Sequence, residues 1–240
     1  MPKLAGPVNF DKATAANILS YSMRLFERET TYGETILYTL YLYFLGLSFR
    51  NISKAIQPFG KERGGRSHVA VWKWVQRFNP RRIYCCKRVC AFLIDETMLQ
   101  IGPDQAWLWI AVEPVHKQIL GVYISRHKNM IVAESFLKSL IKNYGKHVVY
   151  SDGGTWYPEA CLFLGLEHRL HSSYEKSIVE RTVKYLKDRT KAFDDYYPCM
   201  RDRFCNLRHG HKWLILFLFI HNCVINSSIR FDDLMRWKYR

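Results

Sequence analysis

The sequence lacks the features that mark membrane, exported and fibrous proteins. Its longest apolar stretches, residues 37–47 and 213–225, are too short to cross a bilayer. The first residues contain no apolar core, so we expect no signal peptide. Internal repeats and low-complexity tracts are also missing. These absences favour a globular, cytoplasmic protein.

Paired Cys-x-x-Cys motifs are missing as well, although the chain has 7 cysteines. An odd cysteine count without an export signal favours free thiols in a reducing compartment. Two groups of candidate ligands leave a structural zinc site open as an alternative. They are Cys85, Cys86 and Cys90, and further along Cys199, Cys205, His209 and His211. Buried free thiols are the default interpretation.

Acidic residues are scarce: 21 Asp and Glu stand against 36 Lys and Arg, a formal net charge of +15. The excess is spread along the chain and favours a polyanionic partner, with phosphate contacts and salt-sensitive binding. Ribosomal and membrane-surface proteins are also basic, so charge alone does not identify the partner. Hydrophobic residues make up 48% of the chain, which predicts a folded core rather than disorder.

The first third of the chain is predicted to be helical. We expect a weakly helical N-terminal segment over residues 1–31 and a helix-turn-helix DNA-binding domain over residues 32–82. Ser67 is predicted to cap a helix over residues 68–78, which ends before Asn79-Pro80. The DNA-binding candidates on and beside that helix are Arg66, Ser67, His68, Lys73 and Arg77, with Gln76. A helical hairpin that only packs on the main domain is the alternative interpretation.

From residue 89 the hydrophobic period changes from helix to strand. Strands are predicted at residues 89–97, 106–112, 118–125, 147–151 and 167–170. Helices are predicted at residues 131–144, 155–164, 172–193 and 213–227. A ribonuclease-H-like α/β domain, which is a mixed sheet flanked by helices, has this element order: three strands, helix, strand, helix, strand, helix. We assign that domain to residues 88–230 and a C-terminal tail to residues 231–240.

Three acidic residues in this domain are candidate metal ligands. Asp95 lies within an apolar strand, Asp152 follows another before Gly153 and Gly154, and Glu180 lies on a later helix. Carboxylates converging from separate elements can hold two Mg²⁺ ions, which activate the attacking oxygen and stabilise the leaving oxygen at a phosphodiester. Each acid alone would more often be a surface or capping residue. Their element order, within a basic chain, favours a site.

Two neighbours of these acids also need an interpretation. Glu96 points to the opposite strand face from Asp95, so we expect only one of them to enter the site and choose Asp95. Lys187 lies seven residues after Glu180, on the same helix face, and is a candidate for holding a DNA phosphate.

Several motifs together resemble the DDE transposases of prokaryotic insertion sequences, most closely the insertion-sequence-six family. The resemblance covers about residues 33–228. The motifs are Trp74-Val-Gln-Arg-Phe78, Ile94-Asp95-Glu96-Thr97, Trp107-Leu-Trp109-Ile-Ala-Val112, Ser151-Asp152-Gly-Gly-Thr-Trp-Tyr157-Pro158, and Ser177-Ile-Val-Glu180-Arg181 with Lys187 beyond.

The resemblance implies a catalytic and metal-binding triad of Asp95, Asp152 and Glu180, with Lys187 as its accompanying basic residue. It implies Mg²⁺, or Mn²⁺, with two ions per site. It also implies binding to the terminal inverted repeats of the element, DNA cleavage, and attack of the freed 3′-hydroxyls on target DNA. Because two ends must be brought together, it implies a homodimer or larger assembly on DNA. We also expect a cytoplasmic, nucleoid-associated protein.

Two rival functions stay open at this stage. One is a ribonuclease-H-like nuclease that cuts without strand transfer, against which the helix-turn-helix argues. The other is a transposase-derived DNA-binding protein whose catalysis has lapsed, against which the complete triad argues.

Overall fold

The computed structural model describes residues 26, 29–60, 66–78, 89–101, 104–190 and 207–222. The chain divides into two compact units, one comprising residues 1–85 and 215–240 and the other residues 86–214. Most of the predicted N-terminal segment (1–31) and all of the predicted tail (231–240) lie outside the described residues. No described helix is both long and apolar enough to span a membrane.

The first unit contains three α-helices and a short 3₁₀ helix. They are α1 (Gly33–Phe44), α2 (Phe49–Ile56), the 3₁₀ helix (Gln57–Gly60) and α3 (His68–Arg77). The hydroxyl of Ser48 caps α2 by accepting from the amide of Asn51, and that of Ser67 caps α3 by accepting from Ala70. The predicted cap and start of α3 are thus confirmed. Apolar residues at helical spacing form the core of this unit, among them Ile36, Leu40, Ile52, Ile56, Val71, Trp74 and Val75.

The last helix corrects the predicted domain boundary. Helix α7 (Leu207–Ile220) begins earlier than expected. The ring of Phe217 lies 6.0 Å from that of Phe44, and the ring of Phe219 lies 5.1 Å from that of Phe78. The end of α7 therefore contributes to the core of the first unit, whereas the sequence pattern predicts a catalytic domain that continues to residue 230. The sequence of an apolar helix indicates that the helix is buried, but it does not indicate which of the two units buries it.

The second unit is built on a five-stranded mixed sheet. Its strands are β1 (Ala91–Ile101), β2 (Asp104–Val112), β3 (Ile119–Ser125), β4 (Val148–Ser151) and β5 (His168–Leu170). Their spatial order is β3-β2-β1-β4-β5. Strands β1 to β3 form the expected antiparallel meander, and β4 and β5 run parallel to β1. With its crossover helices this is the predicted ribonuclease-H-like arrangement.

Three helices complete the second unit: α4 (Met130–Tyr144), α5 (Trp156–Leu164) and α6 (Ser173–Thr190). One sheet face forms a buried cluster with α4 and α5, to which β1 contributes Phe92 and Ile94. Because successive strand residues face opposite sides, Leu93 and Asp95 face away from that cluster. Helix α6 contacts β1 and β2, so we place it on the face that carries Asp95.

Candidate active site

The pairing of β1 with β4 places two of the predicted acids side by side. The parallel register joins Ala91 to Val148 and Leu93 to Tyr150. Continued by two residues, it sets Asp95 beside Asp152. Strand β4 ends at Ser151 while β1 continues to Ile101. The acid pair therefore lies at the end of β4, beyond which β1 has no paired neighbour on that side among the described strands.

The loop after β4 is shaped by its two glycines. Gly153 has φ +89°, a conformation that side chains rarely adopt, and a Cβ on Gly154 would lie 2.6 Å from the indole of Trp156. The amide of Gly154 donates to Asp152 Oδ1 at 3.1 Å, and the amide of Gly153 donates to the Ser151 hydroxyl at 3.3 Å. The two glycines thus let the loop fold tightly around Asp152, which is itself exposed.

Three carboxylates converge at this point. One carboxylate oxygen each from Asp95, Glu96 and Asp152 lies within 4.8 Å of the other two. Burial raises the pKa of Asp95 from 3.8 to about 6, and the charges of Glu96, Asp152 and Glu180 act in the same direction. Crowded negative charge of this kind is relieved by a cation, and oxygen donors suit Mg²⁺ or Mn²⁺. The donor set therefore fits a divalent metal ion.

Glu180 approaches from α6 and is less closely held. Its side chain is 60% exposed, and its Oε1 lies 3.9 Å from the Lys176 ammonium. It is not among the three carboxylates that lie within 4.8 Å of one another, although its charge contributes to the raised pKa of Asp95. Lys187 is exposed on the same helix, at the spacing that the sequence indicates.

Glu96 is the main difference from the sequence interpretation, which excluded it from the site. The strand alternation holds, since Glu96 lies on the opposite face from Asp95. Its carboxylate is nevertheless close to both aspartates. Its side chain is only 1% exposed and pairs with the Lys128 ammonium at 2.7 Å. The hydroxyl of Tyr157 donates to the other carboxylate oxygen.

Lys128 and Tyr157 are the functional candidates that sequence reasoning missed. Burial, reinforced by the charge of Glu96, raises the pKa of Tyr157 well above its usual value, so the hydroxyl stays protonated and donates. One signal was available: an acid on the buried face of a strand needs a partner. Nothing in the sequence says which distant residue supplies it.

The predicted DNA-binding residues of the first unit fall into two groups. His68 and Lys73 are exposed on α3. By contrast, Arg77 pairs with Glu29, Arg66 donates to the Thr30 hydroxyl at 3.1 Å, and the Ser67 hydroxyl caps the helix. Contacts within the protein thus already engage Arg66, Ser67 and Arg77.

The zinc alternative falls mostly outside the described residues. Of its seven candidate ligands, Cys85, Cys86, Cys199 and Cys205 are not described. Within the described part of the chain, the one group of closely spaced metal-ligand side chains is the carboxylate group above.

The amino-acid sequence of this chain is similar to a protein-family model and to several known proteins. Residues 89–206 match a family model described as a DDE domain, of the IS240 transposase type. The uncharacterized protein MJ0017 of Methanocaldococcus jannaschii is 33% identical over 177 residues, which cover 73% of this chain and 81% of that protein. The transposase for the insertion sequence-like element IS431mec of Staphylococcus aureus is 31% identical over 106 residues. That match covers 42% of this chain and 45% of the transposase, so the chain matches less than half the length of this relative.

A comparison with solved structures found partial matches to viral integrase cores. The catalytic core domain of BIV integrase gives a TM-score of 0.41 at 18% identity, covering 56% of this chain and 83% of that chain. The HTLV-2 integrase catalytic core domain in complex with magnesium, in its trimeric form, gives a TM-score of 0.40 at 18% identity. That match covers 55% of this chain and 83% of the integrase chain.

Proposed function

We propose that this chain, whose residues 89–206 match the DDE domain model, is a DDE transposase of a prokaryotic insertion sequence that cuts and joins the DNA ends of its own element. In this proposal it binds the terminal inverted repeats and frees 3′-hydroxyls at the element ends. It then directs those hydroxyls onto phosphodiesters of target DNA. The observation that carries the proposal is the convergence of Asp95 and Asp152 where β4 ends, with the charge of Glu180 close enough to act on Asp95.

The roles of the acids follow from their positions. Asp95 and Asp152 would hold the metal from the sheet, and Glu180 would complete the set from α6. We propose two Mg²⁺ ions, with Mn²⁺ as a substitute; when bound, they supply the Lewis acidity for in-line displacement at phosphorus. Strand β1 fixes Asp95, and the short loop after β4 holds Asp152 beside it, so little reorganisation of these two acids would accompany the reaction. Glu180, being largely exposed, is free to adjust when DNA and metal bind.

DNA is recognised in this proposal mainly by the first unit. His68 and Lys73 are exposed on α3 and would contact base edges and phosphates of the inverted repeat. Arg66 and Arg77 would contribute once their contacts with Thr30 and Glu29 are exchanged for phosphates. Lys187 would hold a phosphate near Glu180. Because two element ends must react together, we propose a homodimer or larger assembly on DNA.

The test compares the wild-type chain with Asp152→Ala on labelled oligonucleotides that carry the element ends. Asp152 is exposed, so its removal is expected to leave the fold and DNA binding in EDTA unchanged. In Mg²⁺, cleavage and joining are both expected to vanish. The matched control, Asp188→Ala, removes another exposed aspartate of the same unit and should retain both activities.

A second substrate, already cut and ending in a 3′-hydroxyl, separates the rival functions. Joining of that end to target DNA by the wild type supports a transposase. Cleavage without joining indicates a nuclease, and binding without either reaction indicates a DNA-binding protein that has lost catalysis. Strand transfer by Asp152→Ala at the wild-type rate would refute the assignment of the site.

A further inference from the structure

An ionic network joins three separate elements behind the carboxylates; its Glu96 is buried and its Lys128 side chain is 25% exposed. Lys128 lies between β3 and α4, Glu96 lies on β1, and Tyr157 lies in the first turn of α5. The Lys128 ammonium is 2.7 Å from one oxygen of Glu96, and the Tyr157 hydroxyl donates to the other. Both carboxylate oxygens of Glu96 are therefore engaged on the face opposite Asp95.

Two indole rings enclose the cation of this network. The Lys128 ammonium lies 4.6 Å from the ring centroid of Trp107 and 4.3 Å from that of Trp156. Both distances allow a cation–π attraction, which is stronger where the cation is withdrawn from water. Trp156 immediately precedes Tyr157, so two successive residues at the start of α5 hold the Lys128–Glu96 pair.

Two sets of contacts fix the loop that carries Asp152, one at each end of the loop. At the β4 end, the Ser151 hydroxyl lies 2.8 Å from His168 Nε2 and accepts from the amide of Gly153. At the α5 end, Trp156 and Tyr157 are held to β1 through Lys128 and Glu96. Asp152 lies between these two anchors.

Stability alone does not favour such a network. Glu96 is withdrawn from water while Lys128 stays partly exposed, and apolar side chains of similar size are often as stabilising as such a pair, or more so. The network therefore calls for another reason. The one that the geometry offers is the placement of Asp152 beside Asp95.

We propose that Lys128, Glu96 and Tyr157 are positioning residues that hold the Asp152 loop at the spacing needed for a divalent ion. The inference rests on the proposed metal-dependent function of the same site. It differs from the assignment of the acids themselves, because Lys128, Glu96 and Tyr157 act on the ion only by holding the loop that carries Asp152. Residues that orient metal ligands typically contribute about 10- to 100-fold to metal affinity or activity.

The test uses the whole chain without DNA and titrates it with Mn²⁺ by calorimetry. Tyr157→Phe removes only the hydroxyl that donates to Glu96, and we expect Mn²⁺ affinity to fall about tenfold. The matched control is Tyr144→Phe, which removes a hydroxyl that donates to the Leu120 carbonyl at 3.0 Å in the same unit. The control should keep wild-type Mn²⁺ affinity. Asp152→Ala, which should lose the binding, shows that the titration reports this site.

A second pair of variants tests the cation. Lys128→Met removes the charge that pairs with Glu96 and should weaken Mn²⁺ binding about tenfold, whereas Lys128→Arg keeps the charge and the stacking and should restore most of it. Melting temperatures in EDTA separate positioning from simple stabilisation. A positioning role predicts weaker Mn²⁺ binding in Tyr157→Phe at a melting temperature no lower than that of Tyr144→Phe.

Equal Mn²⁺ affinity in Tyr157→Phe, Tyr144→Phe and the wild type would overturn the inference, even if the wild type transposes normally. A wild type that binds Mn²⁺ through Asp152 but neither cuts nor joins element ends would instead refute the proposed function. In that case the positioning result would still stand.

Discussion

Replacing Asp95 with Asn is expected to stabilise the metal-free protein at neutral pH while removing its ability to bind a divalent ion. Asp95 is largely buried and lies near the charges of Glu96, Asp152 and Glu180. Its ionised form is therefore costly in the folded state. An amide of the same shape removes that cost and also removes a metal ligand.

The size and sign of the effect follow from the pKa of Asp95. Folding raises that pKa from 3.8 to about 6. Between these values the folded state binds the proton more tightly than the unfolded state, so stability falls as pH rises and stays low above pH 6. A shift of about 2 pKa units corresponds to about 3 kcal/mol. We expect Asp95→Asn to gain about 2–3 kcal/mol at pH 8 in EDTA and much less at pH 4.5.

The measurement is urea unfolding in EDTA at pH 4.5 and pH 8, read by hydrogen exchange of peptides from β1 and β4. These peptides report the second unit alone. The control is Glu159→Gln, at an exposed position on α5, which should change stability by less than about 1 kcal/mol at either pH. Adding Mg²⁺ at pH 8 should stabilise the wild type and not Asp95→Asn. Identical pH dependence in Asp95→Asn and the wild type would refute the electrostatic description of the site.

Two further predictions concern DNA binding and the Asp152 loop. Binding to element ends should weaken by at least about 10³-fold between 50 and 200 mM salt if about six phosphates are contacted. Lys73→Ala should reduce the slope of that salt dependence by about one, whereas Lys142→Ala, at an exposed lysine on α4, should not; a flat salt response would contradict a phosphate-dominated interface. Gly154→Ala should force the Trp156 indole to move, because the added Cβ would lie 2.6 Å from it, and should lower Mn²⁺ affinity several-fold at a stability cost of about 1–3 kcal/mol. Unchanged Mn²⁺ affinity in that variant would show that the loop tolerates the displacement.

Most of the fold could be predicted because it depends on local patterns. Hydrophobic periodicity gave the order of strands and helices in the second unit, and Ser67 marked the start of α3. The boundary between the units could not be predicted in this way. The sequence around Phe217 and Phe219 indicates a buried helix but does not show which unit buries it. Only the contacts of these rings with Phe44 and Phe78 show that they belong to the core of the first unit.

The sequence predicts a carboxylate site for a metal ion, but it does not predict every residue that lies at that site. Asp95 and Asp152 stand out because each follows an apolar run that forms a strand. Glu96 was excluded because alternation places it on the other face, and that part of the reasoning holds. What the sequence could not show is that β4 ends beside Asp95, which leaves the edge of β1 open to carboxylates from both faces.

The spacing of the two aspartates depends on the core of the sheet at least as much as on the site itself. A slip of one residue between β1 and β4 would move Asp152 by about 3.3 Å relative to Asp95 and turn its side chain to the opposite face. The same slip would move Val149, which is fully buried against the cluster that contains Phe92, out of that cluster. Burial of Val149 therefore selects the register that brings the acids together. The Lys128–Glu96–Tyr157 network then acts on a smaller scale, because it determines where the loop beyond β4 can lie once that register is set.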